Sequence, residues 1–333
     1  MGAARRRGRL VNSARKLLGA IMIGGALLSS PVQSDQARMA RIGVLTPPNN
    51  DAAERGLREG LKELGYVEGQ NLTLEWRRYA QSSDAIRAAA EDLVRSKVDL
   101  IVALSTQAAR SALSTTSTIP VVFMSGDPIG GGLAASLAHP GANATGVSSQ
   151  STDLIAKRLQ LLLQIAPRVR HVLLLVNPDS PLHAVFAEEA ERVGRTLHIR
   201  IDTLTARNAS ELDSALRQLH SSGSEALMVS SDLFFSVNKS KIGDAVRKAR
   251  LPAMAPTKEY QADGVLMSYG SSIEWMSRRV VVYADKILKG AKPGDLPVEQ
   301  GSTLELVIDQ RAARELGLKV PQELLLRADE VIR

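Results

Sequence analysis

The 333-residue chain has no cysteine. That excludes disulfides, thiolate metal sites, a cysteine nucleophile and lipid attachment through an N-terminal cysteine, and it leaves the redox compartment open. Aromatic residues make up only 3%. A sugar stacked between tryptophans is therefore disfavoured, and Trp76 and Trp275 fall in a predicted strand and helix rather than in strand-end loops. The five histidines (His139, His171, His183, His198 and His220) show no metal-ligand spacing such as H-E-x-x-H, so no metal is expected. No Walker A pattern, no helix-opening G-x-G-x-x-G and no G-x-S-x-G elbow occurs, so no cofactor is expected either. Apolar residues at 44% and charged residues at 23% are ordinary for a globular chain and argue against disorder, collagen and coiled coil. The length suits two lobes rather than one small core.

The net charge of +7 invites a nucleic-acid reading, but its location removes that reading. Residues 1–34 hold Arg5, Arg6, Arg7, Arg9, Arg15 and Lys16 and no acid, so the rest of the chain carries about +1. A nearly neutral body lacks the cation excess that phosphate binding and counterion release require. A DNA-reading headpiece is also excluded, because residues 1–40 are too short and apolar for a helix-turn-helix.

Residues 1–34 read as a secretory signal peptide. A basic start ends at Lys16, an apolar stretch covers residues 17–28, and Ser29, Ser30 and Pro31 break it ahead of Val32, Gln33 and Ser34. Twelve residues rise about 18 Å as a helix, short of the roughly 30 Å hydrocarbon core. The mature protein is expected to be soluble, periplasmic and monomeric, with no membrane insertion after processing.

From Arg41 onward, apolar runs alternate with helical periods. Residues 42–45, 72–76, 100–104 and 120–124 read as strands in the first half, and residues 172–176, 199–201 and 226–229 in the second. Leu57, Leu61 and Leu64 repeat at helical spacing, and Gly65 stands where a glycine ends a helix. Ser83 or Asp84 is suited to cap one helix, and Ser210 with Asp213 forms a candidate capping box for another. Continuous apolar strands between amphipathic helices indicate parallel sheets covered on both faces. Two such runs predict two doubly wound lobes, with ligand at the carboxyl ends of the strands. Those ends carry Thr46, Ser105, Thr106, Ser125, Asp127, Asn177, Ser231 and Asp232, all suited to hydrogen-bonding a small polar molecule.

Three blocks carry a family resemblance. The first is Ser125-Gly126-Asp127-Pro128 with Gly132-Leu133 and the run from Pro140 to Gly146. The second is Leu266-Met267-Ser268-Tyr269-Gly270. The third is Leu296-Pro297-Val298-Glu299, then Glu305-Leu306-Val307-Ile308, closing on Arg327-Ala328-Asp329-Glu330-Val331-Ile332. Together they resemble the ABC-transporter substrate-binding proteins of the tryptophan/tyrosine-type branch, from about Arg41 to the end. The resemblance implies a type I periplasmic-binding fold: α/β, two Rossmann-like lobes, a hinge of three crossovers, and ligand in the cleft. It implies no catalytic residues and a permease partner in the inner membrane. The lobes are expected at 41–147 with 271–293, and at 148–270 with 294–333. Leu233 and Ser271 replace family prolines, and the segment 254–257 is less aromatic than usual. These departures bear on ligand identity rather than on fold.

Among the site candidates, Asp127 is either a ligand-facing carboxylate or the start of an Asx-turn before Pro128, and the resemblance favours the ligand. Ser105 and Thr106 open a helix and can cap it or offer donors to a carboxylate. Ser231 and Asp232 repeat the arrangement in the second half. Tyr269 either stacks on ligand or braces the hinge. The expected ligand is amino-acid-like or a small carboxylate, with Asp127 or Asp232 facing an ammonium. The alternatives are a periplasmic sensor presenting its closed form to a receptor, and an α/β enzyme with Asp127 or Asp232 as base.

Overall fold

The computed structural model describes residues 39–79, 82–141 and 143–333; the expected signal peptide lies outside them. Strands β1 (Ala40–Thr46), β2 (Leu72–Arg78), β3 (Leu100–Ala103), β4 (Val121–Ser125) and β5 (Ala144–Ser148) alternate with helices α1 (Asp51–Glu63), α2 (Ser83–Arg95) and α3 (Thr106–Thr115). Next come α4 (Ile155–Ile165), β6 (His171–Val176), α5 (His183–Leu197), β7 (Arg200–Thr205), α6 (Ala209–Gln218), β8 (Ala226–Val229), α7 (Leu233–Val237), α8 (Lys239–Ala249), β9 (Ala253–Ala255) and β10 (Met267–Ser271). The chain closes with α9 (Ile273–Leu288), β11 (Glu299–Gln300), β12 (Leu304–Asp309), α10 (Gln310–Glu315), α11 (Gln322–Arg327) and β13 (Glu330–Ile332).

The strands form two sheets, β11-β5-β4-β3-β1-β2 and β13-β12-β10-β9-β8-β6-β7. Pairing is parallel except between β10 and β12. The apolar runs explain the burial of both faces. Successive strand residues point to opposite sides, so Val172, Leu174 and Val176 enter one core while Leu173 and Leu175 enter another. The first sheet does the same, with Val102 and Val122 on one side and Ile101 and Phe123 on the other.

Helix ends follow side-chain chemistry, with two differences from expectation. Ser82, not Ser83 or Asp84, caps α2 by accepting the Ala85 amide. Asn208, not Ser210, caps α6 by accepting the Glu211 amide at 3.0 Å, and Glu211 accepts the Arg207 amide in return. Gly65 ends α1 with φ +81°.

The chain passes between the sheets three times: from β5 to α4, from β10 to α9, and from β11 to β12. Residues 294–333 were expected wholly in the second lobe. Instead β11 pairs with β5, Glu299 opposite Val147 and Gln300 opposite Ser148. This segment covers an edge of β5 that would otherwise expose unpaired amides and carbonyls. The second lobe regains the chain only at β12.

Helix α9 docks on the first lobe against α1, where Gly56 and Gly60 present no side chain. A Cβ at Gly56 would stand 2.6 Å from the Glu274 carbonyl oxygen and 3.0 Å from the Ser277 Cβ. Arg278 adds ion pairs to Glu59 and Glu63, but such exposed pairs contribute little. Burial of Met276, Val280, Val281 and Ala284 in the first-lobe core and the close backbone approach at Gly56 and Gly60 therefore hold α9. Gly56→Ala tests this, because helix propensity alone predicts a gain of about 0.5–1 kcal/mol and overpacking predicts a loss of about 1–3 kcal/mol. We expect the loss in urea denaturation; a net gain would contradict the close contact.

Candidate functional site

The strand ends of the two lobes meet around a cavity of about 120 Å³. Ser105, Thr106 and Ser125 line it from the first lobe, Ser231, Asp232 and Thr257 from the second, and Ser149 and Ser271 from crossovers. Leu104, Met124, Leu182, Leu233, Pro256, Ile273 and Met276 supply apolar wall. A second hollow of about 440 Å³ shares Leu233, Ser236, Thr257 and Ile273 and reaches the start of α1 at Asn49 and Asn50.

Five of the nine residues singled out from sequence thus line one cavity. The hydroxyls of the first lobe are already engaged. Ser105 caps α3 by accepting the Ala108 amide at 3.0 Å, and its hydroxyl lies 3.2 Å from that of buried Tyr79. The Thr106 and Ser125 hydroxyls are 2.8 Å apart. Four candidates stand off the cavity. Thr46 is buried behind it and accepts from Asn50. Asn177 donates to Asp232 at 3.4 Å. The Tyr269 ring packs against the second-lobe core while its carbonyl serves Arg158. Asp127 closes its own turn, accepting the Ile129 and Gly130 amides at 3.1 and 2.9 Å. These bonds form the Asx-turn that the Asp-Pro pair allows, and Asp127 does not line the cavity.

Asp232 is the acid that does face the cavity. It caps α7, with Oδ1 accepting the Phe234 amide at 2.8 Å. Burial pushes its carboxyl above the usual carboxylate range, against the opposing pull of the Phe234 amide, the Asn177 amide and the Ser180 hydroxyl; nearby Asp179 raises it further. Among the described residues no cation pairs with it.

The sequence reading missed Arg158. It lies on α4 with its side chain 2% exposed and lines the cavity. Burial pushes its guanidinium down to about 10. The available signal was periodicity: Arg158 falls on the same stripe as Ile155, Leu159, Leu162 and Ile165, where a cation needs a reason.

The crossovers bordering the cavity are bonded to one another. The Gly301 amide donates to the Ser148 carbonyl at 2.7 Å, the Gln150 side chain to the Gly301 carbonyl at 2.9 Å, the Ser271 hydroxyl to the Ser149 carbonyl at 3.1 Å, and the Ser272 amide to the Thr303 carbonyl at 3.2 Å. Across the cleft, Gln107 donates to the Asp179 carbonyl at 3.3 Å. A Cβ on Gly126 would stand 3.0 Å from Leu182 of the opposite lobe. The lobes are in contact and share one hinge.

Two α/β lobes, three crossovers and a cavity between strand ends define a ligand-trapping binding protein of the type I periplasmic-binding class. Residues 40–332 match the family of ABC transporter substrate binding proteins, and the chain belongs to it. It is 23% identical over 291 residues to the tyrosine-binding protein of Clostridioides difficile (strain R20291), covering 86% of this chain and 84% of that one. The crystal structure of an ABC domain from Streptococcus pneumoniae in complex with L-Trp superposes with TM-score 0.83 at 26% identity, over 88% of this chain and 99% of that one. A conserved domain protein from Vibrio cholerae gives 0.84 at 27% identity, over 88% and 100%. The family is one of binding proteins, which sets aside the reading of Asp127 or Asp232 as an enzyme's base.

Asp127→Ala is expected to lower stability by about 0.5–2 kcal/mol through loss of its turn and amide bonds. Ligand affinity should stay within about twofold of wild type by calorimetry. A tenfold loss of affinity would return Asp127 to the site.

Proposed function

We propose that the protein is exported, captures an amino acid of the tryptophan or tyrosine type between its lobes, and presents the closed form to an ABC permease in the inner membrane. The observation that carries the ligand class is Asp232, a half-buried carboxylate with no cation paired to it among the described residues, set in a cavity with apolar walls. An α-ammonium supplies the missing charge, and Leu104, Met124, Ile273 and Met276 suit a large apolar side chain. The L-Trp complex and the tyrosine-binding relative support the same class. The charge pattern and apolar run of residues 1–34 support export. No helix among the described residues is long and apolar enough to cross a membrane. Mechanistically, the ligand favours closure only by its differential affinity for the closed form.

A thermal-shift screen of L-tryptophan, L-tyrosine, other amino acids and sugars tests the class. A ligand at 100 times its Kd should add about 2.7 kcal/mol. Stabilisation by a sugar and by no amino acid would contradict the proposal.

Asp232→Asn separates binding from stability. Asn caps a helix as well as Asp does, so the local bonds survive. A carboxyl whose pKa is raised by folding subtracts stability above that folded pKa, since the native state holds the proton longer than the unfolded chain. The ligand-free variant should therefore be more stable than wild type at neutral pH, while its affinity for the amino acid falls by one to two decades, a charge-assisted hydrogen bond being worth about 1.5–3 kcal/mol. Wild-type affinity should fall as pH drops through the raised Asp232 pKa, starting above the ordinary value of about 3.9. That acid limb should be absent in the variant. An unchanged pH profile by calorimetry would remove Asp232 from the ligand.

A further inference from the structure

Arg158 is a buried cation without an acidic partner among the described residues. A guanidinium carries five N–H donors. Nε donates to the Tyr269 carbonyl at 2.7 Å and one Nη to the Ser151 carbonyl at 3.0 Å. Both acceptors are neutral; the other Nη group lies beside Gly270, 3.1 Å from where a Cβ would stand there, and Arg158 itself lines the cavity. That same Cβ position is 2.0 Å from the Pro256 carbonyl oxygen, which places the Pro256-Thr257 segment on the same wall as the guanidinium. The Thr257 hydroxyl is buried, lines the cavity and has no hydrogen-bond partner. A buried charge without a counter-charge is costly, and a buried hydroxyl without a partner adds to that cost. Both groups line one cavity, and an anionic group with two oxygens has the chemistry each of them lacks.

We propose that the Arg158 guanidinium, assisted by the Thr257 hydroxyl, holds the α-carboxylate of the bound amino acid, while Asp232 holds its ammonium. This rests on the amino-acid reading above. It moves the carboxylate away from the start of α3, whose Ser105 and Thr106 hydroxyls are already committed within the first lobe. It also puts the ligand's charge on the hinge, because Ser151 and Tyr269 belong to the segments entering two of the three crossovers. An amino acid whose carboxylate is replaced by a neutral amide therefore loses the contact that ties it to the hinge.

The test compares L-tryptophan with L-tryptophanamide, and L-tyrosine with L-tyrosinamide, by calorimetry on wild type, Arg158→Lys, Arg158→Gln and Thr257→Val. Wild type is expected to prefer the acid by about tenfold to a hundredfold. In Arg158→Gln that preference should fall to about one, in Arg158→Lys it should be intermediate, and in Thr257→Val it should drop a few-fold. The ratio is the readout, since a residue that only braces the hinge weakens acid and amide equally. An Arg158→Gln variant that keeps the wild-type ratio overturns the proposal, whatever its absolute affinity. If wild type binds neither pair but binds a ligand of another class, the amino-acid reading fails and this assignment fails with it. Should the Arg158 variants fail to fold, by circular dichroism, a crystal structure of wild type with L-tryptophan decides: carboxylate oxygens within hydrogen-bond distance of Arg158 support the assignment, and a carboxylate bound elsewhere overturns it.

Discussion

The Gly301 amide donates to Ser148, the Ser271 hydroxyl to Ser149, and the Ser272 amide to Thr303. These bonds join three passes of the chain between the lobes into one piece, and the cleft depends on them. Gly301 has room for this only because it lacks a side chain: a Cβ there would stand 2.5 Å from the Ser271 hydroxyl. Arg158 reinforces the same place by holding carbonyls from two of the passes. Segments tied side by side in this way suit hinge rotation of the lobes about that line. A few backbone dihedrals then absorb the motion while both cores stay packed. The buried sheets on either side are the rigid bodies, because each strand feeds apolar side chains into two cores at once.

The cavity is assembled against stability. Among the described residues, Asp232 loses hydration without gaining a cation, and Arg158 loses hydration without gaining an anion. Both groups would cost less in a site built only to fold. Under the proposed function, their opposite signs would face the two charged ends of an amino acid and the apolar walls its side chain. In the proposed mode of binding, an amino acid would supply both missing charges, and closure would follow to the extent that these contacts are made only in the closed form. Such an arrangement trades stability for function in the way binding sites commonly do.

Much of the fold was legible because strand burial leaves a plain mark. Residues 172–176 and 226–229 are apolar throughout, and only sheets covered on both faces demand that. The caps were displaced by a residue or two, to Ser82 and Asn208, because several neighbouring residues have the right side chains and only backbone geometry decides among them. Strand β11 was missed since two residues carry no period. Around the cavity, Ser105, Thr106, Ser125, Ser231 and Asp232 were legible as polar residues at the ends of apolar strands. Asp127 satisfied the same rule yet serves its turn, and Arg158 broke the rule by reaching the cavity from a helix face. Local sequence shows what a side chain can do but not where a helix aims it.

The proposed function requires an amino acid to close the two lobes about the bonded hinge. Small-angle X-ray scattering of the purified mature protein, with and without saturating L-tryptophan or L-tyrosine, measures this directly. A smaller radius of gyration and a shorter maximum dimension are expected with ligand, approaching the curve calculated from the closed arrangement of the lobes. Saturation proven by calorimetry with an unchanged scattering curve would contradict it.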